Sequence, residues 1–312
     1  MRTVPELFRR HSRNPILHRG NWPYQVNSVF NPAAAMVDGE VLLLVRAEDR
    51  RGLSHLTVAR SANGVSGWRI DSTPVVLPET SRADEWGVED PRLTFLAERG
   101  EWAAVFTEYS RSGPQLGIAL TSDFRRFDRI SPRIGPEGKT GDKDAAILSR
   151  KVGGRWAMIH RPHIDDTSDM WISFSDDLAT WTDSERFMRA REGVWWDAGK
   201  IGLSPPPLET PDGWLTMYHG ARSTPGGCLY RVGLSLLDLD DPRKLLCRTD
   251  EWVFGPDTEY ETRGDVGNVV FPCGWVAHDD MVFMYYGAAD TCVALASASL
   301  AEMLKFVKGA PC

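Results

Sequence analysis

Hydrophobic and polar positions along the chain follow one pattern five times. Each copy opens on a turn with Gly or Asp, runs into an apolar strand, crosses a polar insertion and ends in a second strand of small residues. The first copy has Asp38-Gly39, then Val41-Leu42-Leu43-Leu44-Val45-Arg46, then Leu56 to Ser61. The second runs from Gly100 to Thr107 and from Leu116 to Ser122, and the third from Gly154 to His160 and from Met170 to Ser175. The fourth runs from Asp212 to His219 and from Tyr230 to Ser235, and the fifth from Asp279 to Gly287 and from Cys292 to Ser297. The closing serines, Ser61, Ser122, Ser175, Ser235 and Ser297, are 61, 53, 60 and 62 residues apart. Period-two alternation between turn signals predicts strands, and the regular spacing predicts small sheets arranged radially.

The expected fold is therefore all-β: a five-bladed β-propeller with short terminal helices. It forms one domain over residues 1–312, with 1–25 as an N-terminal extension and 300–312 as a C-terminal helix. A two-sheet sandwich is the competing arrangement. No long amphipathic helices separate the strands, which argues against an α/β fold. The helical signals are at the ends. Thr3–Ser12 has a cap and an early Pro, and Leu300–Lys308 spaces Leu300, Met303, Leu304 and Val307 at helical intervals. These end segments are expected to be packing elements, with homo-oligomer contacts as the secondary use.

Composition narrows the partners. With 36 Lys+Arg against 43 Asp+Glu, the net charge is −7, and no basic run exceeds two residues, so nucleic acid is not expected to bind. No apolar run approaches the ~20 residues of a membrane span, and no signal peptide is evident. The five cysteines contain no CxxC, which indicates neither a zinc site nor a disulfide framework, so the expected location is cytoplasmic. P-loop, GxGxxG, HExxH and GxSxG sequences are absent. The 12 Trp suggest packing between blades, as for Trp102, Trp156, Trp171 and Trp214. Trp195 and Trp196 are the candidates for stacking on a sugar face.

In a propeller the inner strand ends converge on a central channel. Polar residues there are Arg46, Glu108, His160 with Arg161, His219 and Asp290. Trp86-Gly87-Val88-Glu89-Asp90-Pro91-Arg92 adds a compact charged cluster just before a strand, and Lys200 places an ammonium between glycines. His160, His163, Asp165 and Asp166 lack the regular spacing of a metal site, and no metal is expected.

The chain resembles glycoside hydrolase family 130, the β-mannoside phosphorylases and related mannosidases. The resemblance rests on Phe30-Asn31-Pro32-Ala33, Gly87 to Arg92, Asp142 to Ala146, His160-Arg161-Pro162, Trp196 to Gly202, Tyr218-His219-Gly220, Asn268 to Pro272 and Tyr286 to Asp290. It implies a five-bladed propeller with Asp90 as general acid, acting through the sugar's own 3-hydroxyl. It further implies that Arg161, Lys200 and His219, with Ser54 beside them, bind phosphate. Asn31, Arg46 and Asp290 hold the mannosyl ring, and Glu89, Arg92, Lys143 and Asp144 complete the substrate-binding set. One acid facing Arg, Lys and His suits phosphorolysis, because phosphate is already nucleophilic and needs only positioning. The expected reaction is inverting phosphorolysis of a β-mannoside to α-mannose 1-phosphate, with inorganic phosphate as co-substrate and no cofactor. A phosphate-independent β-mannosidase, with Glu89 or Asp290 activating water, and a non-catalytic sugar-binding propeller are the alternatives. His219 is expected to titrate near neutrality. Asp142 stands where the family usually has Asn, and it would repel phosphate unless it pairs with Lys143 or faces away. Linkage and acceptor sugar are left open.

Overall fold

The computed structural model describes residues 7–79, 83–135, 141–164, 167–225 and 227–310. It is almost entirely β, with a 3-10 turn at Arg19–Asn21 and short helices at Glu259–Thr262 and Leu300–Lys308. Five consecutive antiparallel units follow one another. Their first strands are Ser28–Val37, Gly87–Leu96, Asp142–Ile147, Lys200–Leu203 and Val270–His278. Hydrogen bonding divides the units among four sheets, because a single parallel bridge between Ser54 and Gly87 joins the first two units.

Turn chemistry explains why the pattern repeats. Asp38 and Gly39, at φ 50° and 79°, form a two-residue hairpin turn that only residues tolerating left-handed backbone adopt. The closing hydroxyls are equally specific. Ser61, Thr121 and Ser175 each accept the amide three residues on, from Gly64 (3.1 Å), Phe124 (2.9 Å) and Leu178 (2.9 Å). In the second unit Thr121 does this, one residue before the Ser122 of the sequence pattern.

Each unit packs on the next through its own apolar cluster. Leu42, Leu44 and Leu56 of the first unit meet Val88, Ala104 and Phe106 of the second. Val105 and Ile118 meet Ile147 and Trp156, and Ile159 and Ile172 meet Leu203 and Trp214. Met217 and Leu234 meet Val282 and Met284, and Tyr285 and Leu295 of the fifth unit return to Val29 and Leu43 of the first. The Trp residues lie largely within these clusters, with Trp156 and Trp214 fully buried.

At the N-terminus the expectation of a helix over Thr3–Ser12 fails in its described part. Arg9–Arg10 is a strand instead, with Arg9 opposite Ser297 and Arg10 opposite Ala296 on the free edge of Cys292–Ser299. The reason is a long-range ion pair. Arg10 donates from Nε and Nη2 to the two oxygens of buried Glu261, each at 2.9 Å. The helix Leu300–Lys308 forms as expected, capped by the Ser299 hydroxyl. Cys228, Cys273 and Cys292 are free, whereas Cys247 is disulfide-bonded, contrary to the sequence expectation. Among the described residues no helix is long and apolar enough to cross a membrane.

Candidate active site

Three of the five first strands carry the same device. The pairing of Ser28–Val37 slips between Phe30 and Ala33, that of Gly87–Leu96 between Glu89 and Arg92, and that of Asp142–Ile147 between Lys143 and Ala146. At each slip one residue turns left-handed: Asn31 (φ 45°), Asp90 (φ 51°) and Asp144 (φ 54°). Asn and Asp tolerate that backbone better than other side-chain-bearing residues, and a bulge re-aims a side chain out of the pleat. The consequence is three buried polar groups presented by three neighbouring strands.

The first half is built on Arg46. Its Nη1 donates to Asp90 Oδ1 at 2.9 Å, its Nη2 to Glu89 Oε1 at 2.9 Å and its Nε to Ser54 Oγ at 2.8 Å. Asn31 Nδ2 donates to the same Asp90 oxygen at 2.8 Å, and Phe30 lies under the guanidinium at 4.5 Å. Lys143 Nζ reaches Glu89 Oε2 at 3.5 Å. Burial pushes the Asp90 carboxyl up, but Arg46, Asn31, Lys143 and Arg92 outweigh it and hold Asp90 below the usual carboxylate value. Asp290, also left-handed at φ 51°, behaves oppositely. Burial, opposed by Arg46 and reinforced by Asp90, Glu89 and Glu48, pushes its carboxyl up to about 7.

The second half is built on Asp144. Arg161 Nε lies 3.0 Å from its Oδ2, His219 Nε2 3.4 Å from Oδ2, and Arg92 Nη2 3.3 Å from Oδ1. Arg92 is 1% exposed and ties the two halves together. It donates to the Asp90 carbonyl (2.9 Å), the Leu203 carbonyl (2.8 Å) and the Ser204 carbonyl (2.6 Å). Burial raises the Asp144 carboxyl, but Arg161, His219 and Arg92 hold it well below the usual range. Gly202 makes room for this cluster, since a Cβ there would collide with the Asp144 carboxylate and the His219 ring. Burial and the Arg161 charge depress the Lys200 ammonium, which stands 5.1 Å over the Tyr230 ring. Asn31 Oδ1 is buried without a hydrogen-bond partner, packed against Gly287, whereas Asp144 Oδ2 is held by the Arg161 and His219 contacts.

The family model described as beta-1,4-mannooligosaccharide phosphorylase matches residues 3–309. The chain belongs to glycoside hydrolase family 130. Within family 130, the beta-1,4-mannooligosaccharide phosphorylase of Ruminococcus albus is 32% identical over 97% of this chain and 91% of that protein. The 1,2-beta-oligomannan phosphorylase of Thermoanaerobacter sp. is 33% identical over 93% of this chain and 96% of its own. The structure of a beta-1,2-mannobiose phosphorylase from Listeria innocua, complexed with beta-1,2-mannobiose, matches with a TM-score of 0.86 at 27% identity. That match covers 97% of this chain and 99% of the other.

Most of the residues singled out by resemblance to family 130 are linked by these contacts, and several details differ from expectation. For His219, burial, opposed by the neighbouring Asp144, lowers the imidazole pKa from its ordinary value. Asp142 pairs with neither Lys143 nor solvent. Its Oδ2 lies 2.7 Å from His160 Nδ1, and His160 Nε2 lies 2.7 Å from Ser173 Oγ. Glu108 belongs to a separate cluster with Arg129, whose Nη2 donates to it at 2.7 Å. Trp196 is not an open platform. It is 5% exposed, stacked on Tyr218 at 5.5 Å, and its Nε1 donates to the Asp250 carbonyl. Asp165 and Asp166 lie outside the described residues, and among those described no three His, Cys, Asp or Glu side chains gather as a metal site would require. Sequence reasoning missed Phe271, whose ring is 4.6 Å from the His219 ring, and Ser204, although Phe271 lies in the quoted Asn268-to-Pro272 motif.

Proposed function

We propose that the protein cleaves β-mannosides by inverting phosphorolysis, giving α-mannose 1-phosphate and the shortened acceptor. The observation that carries this reading is the division of the site into a carboxyl held by Asn31 and Arg46 and a cationic group, Arg161 and Lys200, whose carboxylate Asp144 is already engaged. Phosphate binds Arg161 and Lys200, with His219 as a hydrogen-bond donor. One phosphate oxygen attacks C1 from the face opposite the glycosidic bond as that bond breaks. The leaving oxygen takes the proton of the sugar's 3-hydroxyl, which is replaced by the proton of Asp90. The dianion arriving beside these cations raises the affinity of Asp90 for a proton, and Asp290, which shares the field of Arg46, retains one up to about pH 7. The hydrolytic alternative is weaker because Glu89, one of its two candidate bases, is held by Arg46 and Lys143.

We also infer that the five units close into a five-bladed propeller. What supports this is the cyclic series of apolar clusters, the last of which joins the fifth unit to the first. The function is tested by incubating the protein with β-1,2- and β-1,4-mannobiose with and without phosphate and following α-mannose 1-phosphate by phosphorus NMR. Turnover should require phosphate, and Asp90→Asn should abolish it while sugar binding persists. Equal cleavage without phosphate, or near-normal activity of the variant, would overturn the proposal.

A further inference from the structure

An exposed aromatic side chain lies a few contacts away from this site and has no part in the chemistry above. Trp86 is 45% exposed, yet its backbone is firmly held. Its amide donates to the Tyr109 carbonyl at 2.9 Å, and the Gly87 amide donates to the Asp84 carbonyl at 2.8 Å. Asp84 is itself fully buried, accepting from Arg129 Nη2 at 2.5 Å and from the Glu79 amide at 2.9 Å. The indole is therefore presented to solvent on an anchored turn.

A continuous line of contacts leads from it to the acid. The Trp86 ring lies 5.8 Å from the Tyr109 ring, and Lys143 Nζ stands 5.3 Å over Tyr109. Lys143 reaches Glu89, and Glu89 shares Arg46 with Asp90. The opposite end of the same strand, with Leu93 and Phe95, opens on a separate cavity of about 460 Å³ lined also by Met36 and Trp275. Trp86 thus lies beyond the end of the strand nearer Asp90, away from that cavity. From Gly87 to Asp90 the strand advances about 10 Å, and Trp86 lies one residue further out, beyond the span of a single pyranose ring.

We infer that Trp86 forms a distal subsite for the leaving chain, packing the apolar face of a later sugar ring while Glu89 and Lys143 serve the hydroxyls between. The ligand class is a β-linked mannooligosaccharide of three or more units rather than a disaccharide. The inference rests on the β-mannoside reading, and its test is a binding measurement that needs no turnover. Calorimetric titration with β-mannobiose and β-mannotetraose, without phosphate, compares the wild type with Trp86→Ala and Trp86→Phe. The tetraose should bind the wild type about five- to tenfold tighter than the biose, the range expected of one aromatic contact. That ratio should collapse towards one in Trp86→Ala and largely survive in Trp86→Phe. A wild-type ratio of one, or an unchanged ratio in Trp86→Ala, would overturn the subsite. A protein that binds both sugars with the expected ratio but shows no phosphate-dependent cleavage would overturn only the reaction.

Discussion

Replacing Asp290 by Asn should stabilise the protein, and only at higher pH. The carboxyl titrates at about 7 in the folded chain against an ordinary value of 3.8. A gap of about three pH units corresponds to ~4 kcal/mol spent on ionising the group in place. Between those two values the folded state binds a proton that the unfolded chain has released, so stability falls as pH rises through this window. The full deficit is present above pH 7 and absent below pH 4. Asn reproduces the shape of the neutral carboxyl without this cost. Local relaxation and water entry reduce the gain, so we expect a stabilisation of about 2 kcal/mol at pH 8 and little change at pH 4.5. Urea unfolding at the two pH values measures the difference directly. A variant that is less stable than the wild type at pH 8, or that gains equally at both, would refute the placement of Asp290 as a buried carboxyl short of compensation. The same substitution should weaken turnover, because a destabilised group persists where function uses it.

Two further outcomes are expected. Lys200→Ala removes a half-buried ammonium and should raise KM for phosphate by roughly 10- to 100-fold while KM for the mannoside changes little, as initial rates at varied phosphate will show. Trp196→Ala should cost about 3–5 kcal/mol of stability in a denaturant titration, because the ring is buried against Tyr218, Gly220 and Gly233; a stable variant with selectively lost sugar binding would restore the stacking role.

The repeat was legible because its signals are local. Asp38-Gly39 can form few structures other than a tight hairpin, and the closing Ser and Thr residues build the same turn three times over. The site was legible in its residue types but not in its geometry. Nothing in the alternation around Asn31, Asp90 or Asp144 announces a slipped register, since a bulge is set by two strands together. Charge states were hidden for a similar reason. Asp90 and Asp290 are the same residue type, and only the share of Arg46, hydrogen bonds and burial that each receives separates them. Trp196 was misjudged because a Trp pair reads alike in either role. Its ring fills the space left by two glycines more than twenty residues away, which no local pattern records. The Arg9–Arg10 strand escaped notice because its partner strand and Glu261 lie at the other end of the chain.

That strand has a consequence for how the edge of the fifth unit is protected. Without it, the Ala296–Ser299 end of Cys292–Ser299 would present unpaired amides and carbonyls, the kind of edge on which identical molecules add to one another, while Asn14, Ile16 and Leu17 still hold the Val293–Leu295 end. Arg9 and Arg10 occupy that edge, and the Glu261 clasp keeps them there. The pairing joins positions almost a full chain length apart, so it closes only once both segments are in place. Until then a nascent or briefly opened molecule carries an adhesive edge. Loss of the first dozen residues should therefore show itself as aggregation before it shows itself as lost activity.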